Sequence, residues 1–334
     1  MDKAFYKYKK SNTRRMLINE KLWKKLERHG FPSLAKKMIT RNRYGERIVN
    51  GDIITNGIIT RMLEDSKPCM VARFGFTELK YLYAFLNHQN NMTAESQKEL
   101  DAALENLCLL SGFFPNDQKM GERFAELYFE SIPYMDLCGV WDLYMEDYFL
   151  DQYAPNCELA KLKYLEPWNT EGDKPWSAAL KDKKVLVIHP FQKSIEAQYS
   201  KNKLIFSNKF EYEKILPDFQ LLTIRAVQSL GGENDEYDNW FDALSGMISQ
   251  IKELDFDVAI IGCGAYGLPL AAEIKKMGKK AIHLGGATQL MFGIWGNRWE
   301  QIPRIKQLYN DSWIRASADE KPRRADEVEN GCYW

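Results

Sequence analysis

Apolar and polar positions follow two rhythms along this chain. Nearly continuous apolar runs recur as CMVARFG (69–75), LCGVW (137–141), KKVLVIHP (183–190), FQLLTIRAV (219–227), FDVAIIG (256–262) and KAIHLGG (280–286). Such runs predict strands covered on both faces, which need no polar alternation. Between them the spacing turns helical. Residues 52–63 place Ile53, Ile54, Ile58, Ile59 and Leu63 at helical intervals, and 240–254 place Phe241, Leu244, Ile248 and Ile251 on one face. Further helices are predicted over 77–85, 194–201 and 268–277, and two more within 93–131, separated by 112–116. A short amphipathic helix over 21–29 ends at Gly30 and Pro32. Strands alternating with helices predict an α/β, Rossmann-like, doubly wound and mostly parallel sheet with an additional helical N-terminal region.

The stretch 161–183, punctuated by Pro167, Gly172 and Pro175, reads as a linker or an active-site loop. The predicted organisation is a basic helical arm (1–50), a catalytic domain (51–310) and a C-terminal tail packed on it (311–334).

Composition narrows the classes. Lys plus Arg and Asp plus Glu both total 46, so no global field favours nucleic acid. Residues 1–50, however, hold fifteen Lys or Arg against Asp2, Glu20, Glu27 and Glu46. Such an arm is a solvated surface or a peripheral contact with an anionic lipid surface. The opening MDKAFYKYKK lacks a signal-peptide core, and no uninterrupted apolar run reaches ~18 residues, which predicts a cytoplasmic protein. Six cysteines without a C-x-x-C read as reduced thiols, several of them buried. Aromatic residues make up 13% of the chain, a share that fits a carbohydrate site as well as a packed core.

Four corners could carry chemistry. Gly262, Gly264 and Gly267 form a G-x-G-x-x-G, with Tyr266 inside it, at a strand-to-helix turn. Glycines there permit a tight turn and let backbone N–H groups approach a phosphate; glycines also serve plain helix–sheet packing. A dinucleotide enzyme would want a carboxylate about twenty residues on, for the ribose. That strand ends instead in His283, Leu284, Gly285 and Gly286. The second corner, HPFQKS, sets His189 at a strand end and Lys193 and Ser194 where a helix begins. Ser194 equally fits a helix cap and His189 a structural histidine. The third places Arg73 and Glu78 on either side of Gly75, able to hold a diphosphate and a divalent cation or to pair with each other. The fourth follows the last strand: Gly285, Gln289, then Arg298 between Trp295 and Trp299, a wall for a sugar or nucleotide, or a loop held by its aromatics.

Two of these stretches resemble the GT-D-fold glycosyltransferases of bacterial surface-glycan and glycoprotein synthesis. The Arg73–Phe74–Gly75–Phe76–Thr77–Glu78 stretch is similar to the family's early R-[FY]-G-D-G-E-like motif. The turn at Gly262, Gly264 and Gly267, the His283–Leu284–Gly285 stretch and the aromatic tail are similar to its C-terminal unit. In order of elements the likeness runs over about 50–300. It implies a nucleoside-diphosphate sugar donor, with UDP as the expected nucleotide, and a glycan, lipid-linked or glycoprotein acceptor. It also implies Mn²⁺ or Mg²⁺ at the donor diphosphate. Phe76 stands where the first carboxylate of the family's D-x-E would be, so only Glu78 carries over as a metal ligand. One carboxylate with waters can still hold Mg²⁺ or Mn²⁺ beside phosphates. Arg73, Gly75, Lys193, Ser194, Gly262, Gly264, Tyr266, Gly267, Gly285, Gln289 and Arg298 are the expected donor-binding residues. Glu78, His189 and His283 are the expected catalytic ones, with the histidines as candidate bases. The rival readings are an enzyme using NAD or S-adenosylmethionine and a non-catalytic scaffold of polysaccharide assembly.

Overall fold

The structure is a computed structural model that describes residues 2–28, 44–172, 174–207, 215–229, 231–232 and 234–321. Eight strands form one sheet: β1 Val49–Asn50, β2 Cys69–Ala72, β3 Leu137–Val140, β4 Glu158–Lys161, β5 Lys184–His189, β6 Gln220–Arg225, β7 Val258–Ile261 and β8 Lys280–His283. Their order is β1-β4-β3-β2-β8-β7-β5-β6, and every pairing is parallel. The expected doubly wound α/β fold is therefore present, and the sheet is parallel throughout.

Parallel strands need crossovers, and helices supply them on both faces. The longer helices are α1 Lys3–Arg28, α2 Asp52–Glu64, α3 Phe76–Asn91, α4 Ala94–Ser111, α5 Gln118–Ser131, α6 Glu146–Tyr153, α7 Gln192–Tyr199, α8 Trp240–Lys252 and α9 Gly267–Lys276. Their ends follow from local chemistry. Thr93 and Ser96 cap α4 reciprocally, and the Asn239 side chain accepts the N–H groups of Phe241 and Asp242 at the start of α8.

The pleat divides the core in two. On β5, Leu186 and Ile188 join one buried cluster while Val185 and Val187 join the other, and β7 splits Ala259 and Ile261 from Val258 and Ile260 in the same way. This explains why those strands read as unbroken apolar runs.

Three readings are corrected by the packing. The N-terminal helix does not begin at residue 21. It is continuous from Lys3, capped by the Asp2 carboxylate, which accepts from the N–H groups of Ala4 (2.8 Å) and Phe5 (3.2 Å). Its Phe5 is buried beside Tyr83 and Tyr148, an anchor that polar spacing conceals. The expected stops at Gly30 and Pro32 lie outside the described residues, as do Cys332 and the last residues of the tail. The described residues of 161–183 are packed rather than a loose linker, and none of them lines the cavity at the carboxyl ends of the strands. Their short 3₁₀ turns bury Leu165, Trp168, Trp176 and Leu180 in the second core. Finally, β1, β4 and α6 add to the predicted elements. No described helix is long and apolar enough to cross a membrane.

Candidate functional site

In an open parallel sheet, ligands bind outside the carboxyl ends of the strands, where the strand order reverses. Here that point lies between β5 and β7: β5 leads on to β6 at one side, whereas β7 leads on to β8 at the other. A cavity of about 230 Å³ opens there, and five strands deliver residues to it. β2 supplies Arg73, β3 Trp141, β5 His189, β7 Gly262 and β8 His283.

Arg73 leaves β2 and folds over its own turn. Its Nε donates to the Phe74 carbonyl (3.0 Å), and its guanidinium lies 4.7 Å from the Trp141 ring centre. Trp141 also donates its indole N–H to the Phe74 carbonyl (3.0 Å), so the ends of β2 and β3 are tied together. The loop that presents Trp141 contains two left-handed residues, Asp142 and Met145. It is held by the buried Glu146 carboxylate, which accepts from the N–H groups of Trp141 (3.3 Å) and Leu143 (3.1 Å) and from the Tyr44 hydroxyl (2.6 Å). Sequence spacing gave no hint of Trp141 or Glu146. Only the pairing of β3 beside β2 brings them to the site.

Gly75 is the N-cap of α3, and Glu78 sits in the helix's first turn. The Glu78 side chain curls back over the turn, and a Cβ on Gly75 would overlap its carboxylate. Thr77 donates to Glu78 Oε2 (3.0 Å) and also bonds Ser111. Glu78 is buried and is the only carboxylate lining the cavity among the described residues. Phe76 is 57% exposed at the cavity rim.

The glycine-rich turn folds as expected, with β7 before it and α9 after it. Two of its glycines are filled by protein. A Cβ on Gly262 would come within 2.6 Å of the Gly285 carbonyl and of Thr288 Oγ1, and one on Gly267 would overlap the His283 ring. Gly264 takes a left-handed φ of +56°, and a Cβ there would stand 2.8 Å from the Ser111 carbonyl. Tyr266 is buried, stacked on Trp240 at 4.8 Å, with its hydroxyl 3.2 Å from Ser229 Oγ.

Both histidines are neutral. Burial alone holds His189 at about 3, well below 6.5. Its Nδ1 accepts the Phe191 N–H (3.0 Å), which leaves the proton on Nε2 and makes the ring a donor. Burial, helped by the nearby Arg73 charge, also holds His283 at about 3, and its Nδ1 has no hydrogen-bond partner among the described residues.

Of the other expected residues, Gly285, Gln289 and Arg298 line the cavity. Lys193, Ser194 and Gly267 do not. Lys193 pairs at the surface with Asp319 (2.5 Å). Ser194, buried near the start of α7, bonds the Glu320 carboxylate through its N–H (3.2 Å) and Oγ (2.5 Å), and the Lys193 N–H reaches the same carboxylate at 2.7 Å. A carboxylate of the chain's own C-terminal segment thus takes the helix end where a ligand phosphate was expected. Trp295 and Trp299 also stay outside the cavity lining; Trp295 packs on Tyr309 (5.6 Å) and under Arg315 (3.9 Å).

A divalent cation finds a thin donor set here. Among the described residues no three His, Cys, Asp or Glu side chains group as ligands, and Glu78 already accepts from Thr77. The residues do not fit a cation held by protein ligands. The arrangement offers two guanidiniums for an anion, one carboxylate, neutral imidazoles and exposed aromatic faces. No family model, curated protein or solved structure matches this chain.

Proposed function

We propose that this chain is a glycosyltransferase that binds a nucleoside-diphosphate sugar, with UDP as its nucleotide, and passes the sugar to a surface-glycan, lipid-linked or glycoprotein acceptor. The observation that carries the reading is the gathering of Arg73 and Arg298 with a single carboxylate, Glu78, in one cavity at the switch point of the sheet. Two cations in one cavity match a diphosphate, whose negative charge grows as the sugar leaves. Phe76 and Trp141 at the rim add flat apolar faces of the kind that stack against sugar or base rings.

Roles follow from the protonation states. A histidine held near 3 is a poor base at neutral pH, because proton transfer works best with a group whose pKa lies near the working pH. His189 instead donates from Nε2 to an oxygen of the bound donor. Glu78 takes the proton of the acceptor hydroxyl, and Arg73 and Arg298 hold the departing nucleoside diphosphate. The arginines carry the leaving-group charge that a cation would otherwise carry, since the donor set does not fit one. The absence of a carboxylate after β8 speaks against a nicotinamide cofactor.

Thermal unfolding of the full chain with UDP, UDP-sugars and NAD tests the reading. A ligand present at 100 times its Kd adds about 2.7 kcal/mol, so UDP raises Tm by several degrees and NAD does not. Stabilisation by NAD alone overturns the proposal.

A further inference from the structure

Helix α1 has two unlike faces. The inner face is fully engaged. Phe5 is buried and stacks on Tyr83 at 5.9 Å, and Tyr8 packs edge-on against Tyr148. Asn12 donates to Asp147 Oδ1 (2.9 Å) and accepts the Met145 N–H (3.2 Å), while Arg15 pairs with Asp147. These contacts fix the helix against α6 and against the loop that carries Trp141. Residues 2–15 are thus mounted on the rest of the protein.

The outer face is basic. Lys3, Lys7, Lys10 and Arg14 follow one another at intervals of four, three and four, which on an α-helix is a single stripe, and all four are exposed. None takes part in an ion pair among the described residues. No acidic residue interrupts α1 between Lys3 and Met16. Leu17, 55% exposed, lies beside the stripe by helical angle. In the sequence, Lys21, Lys25 and Arg28 fall on the same helical phase, beginning seven residues after Arg14.

We propose that this stripe docks the protein on an anionic lipid bilayer, with α1 lying along the surface. Three features select a bilayer over a soluble polyanion. A 26-residue helix is ~39 Å long, and a straight stripe along it matches a plane. Leu17 offers an apolar side chain that a headgroup boundary accepts and an aqueous polyanion does not. The chain as a whole is neutral, so attraction is confined to this face. Because the inner face holds the loop that carries Trp141, docking also fixes the orientation of the cavity relative to the membrane. This docking does not depend on what the cavity turns over.

The test is co-sedimentation of the full chain with phosphatidylcholine vesicles, with and without an equal share of phosphatidylglycerol. Binding is expected only with the anionic lipid and is released at high salt. Each surface Lys or Arg contributes roughly equally, so the combined variant Lys3→Gln, Lys7→Gln, Lys10→Gln and Arg14→Gln lowers partitioning by ~10²- to 10³-fold. Its circular dichroism and Tm stay at the wild-type values, because the stripe touches no core; should that variant unfold, the salt dependence of the wild type still decides. Equal binding to neutral vesicles, or full binding by a folded variant, overturns the proposal. So does capture by soluble polyphosphate with no sedimentation on anionic vesicles.

Discussion

The guanidinium of Arg73 lies 4.7 Å from the centre of the Trp141 ring, and both side chains donate to one carbonyl, that of Phe74. Two strands that are neighbours in the sheet but far apart in sequence thereby build one wall of the cavity. A stacked, planar guanidinium is pre-oriented for two parallel bonds to a phosphate, and an ammonium is not. Arg73→Lys should therefore weaken UDP binding at least ~10-fold in calorimetric titration. Trp141→Ala should lose about 0.5–2 kcal/mol of binding free energy, and Trp141→Phe less, since a ring face remains. Wild-type affinity in Arg73→Lys would place the anion elsewhere.

The C-terminal segment takes Lys193 away from the donor site. Lys193 is exposed and tied to Asp319, and the buried Glu320 carboxylate fills the end of α7 at Lys193 and Ser194. Lys193→Ala should leave turnover within about twofold, because exposed pairs contribute little. Glu320→Ala strands buried donors and should lower stability by ~1–3 kcal/mol, read as a fall in the urea midpoint. A large loss of donor affinity in Lys193→Ala would return that corner to the site.

Much of this was legible in the sequence, and the gaps have physical causes. The apolar runs that became β5 and β7 read clearly because both their faces are covered. Strand β4, with its end residues exposed and only Leu159 and Ala160 buried, has too few apolar positions to announce itself. Arg73, Glu78, His189 and His283 were visible because each lies at or just past the end of a predicted strand, and strand ends converge in this fold. Trp141 and Glu146 were not, because their role depends on which strand lies beside which. The fate of Ser194 was hidden for the same reason: its partner, Glu320, is 126 residues away.

The buried histidines set a pH dependence. In the unfolded chain each ring takes a proton near 6.5, whereas in the fold His189 and His283 stay neutral down to about 3. The unfolded state therefore binds more protons in that window, so stability is fully present above about 6.5 and falls as the pH drops towards 3. Each ring contributes up to about 1.4 kcal/mol per pH unit. His189→Asn should flatten the dependence of the urea-unfolding free energy on pH between about 7 and about 5 by one ring's share. An unchanged slope would mean that His189 can take up a proton without leaving the fold.

Glu78 and Phe76 decide how the site handles charge. Glu78→Gln keeps the shape and the bond from Thr77 but removes the charge, so turnover should fall at least ~10²-fold if this carboxylate takes the acceptor proton. Folding should survive, since the amide oxygen can still accept from the Thr77 hydroxyl. Gly75→Ala should mimic part of this loss, because the added methyl must push the Glu78 carboxylate aside. Phe76 is more than half exposed at the rim, so Phe76→Asp should fold with little change in Tm rather than bury an unpaired charge. That variant adds a second carboxylate two residues before the first. Two carboxylates on one helical turn complete a site for a hard cation that one carboxylate does not make. Calorimetry should then detect Mn²⁺ binding in Phe76→Asp and none in the wild type. Turnover in the wild type should persist in chelator, carried by Arg73 and Arg298. If chelator abolishes wild-type turnover and Mn²⁺ restores it, the two arginines do not suffice and Glu78 is a metal ligand.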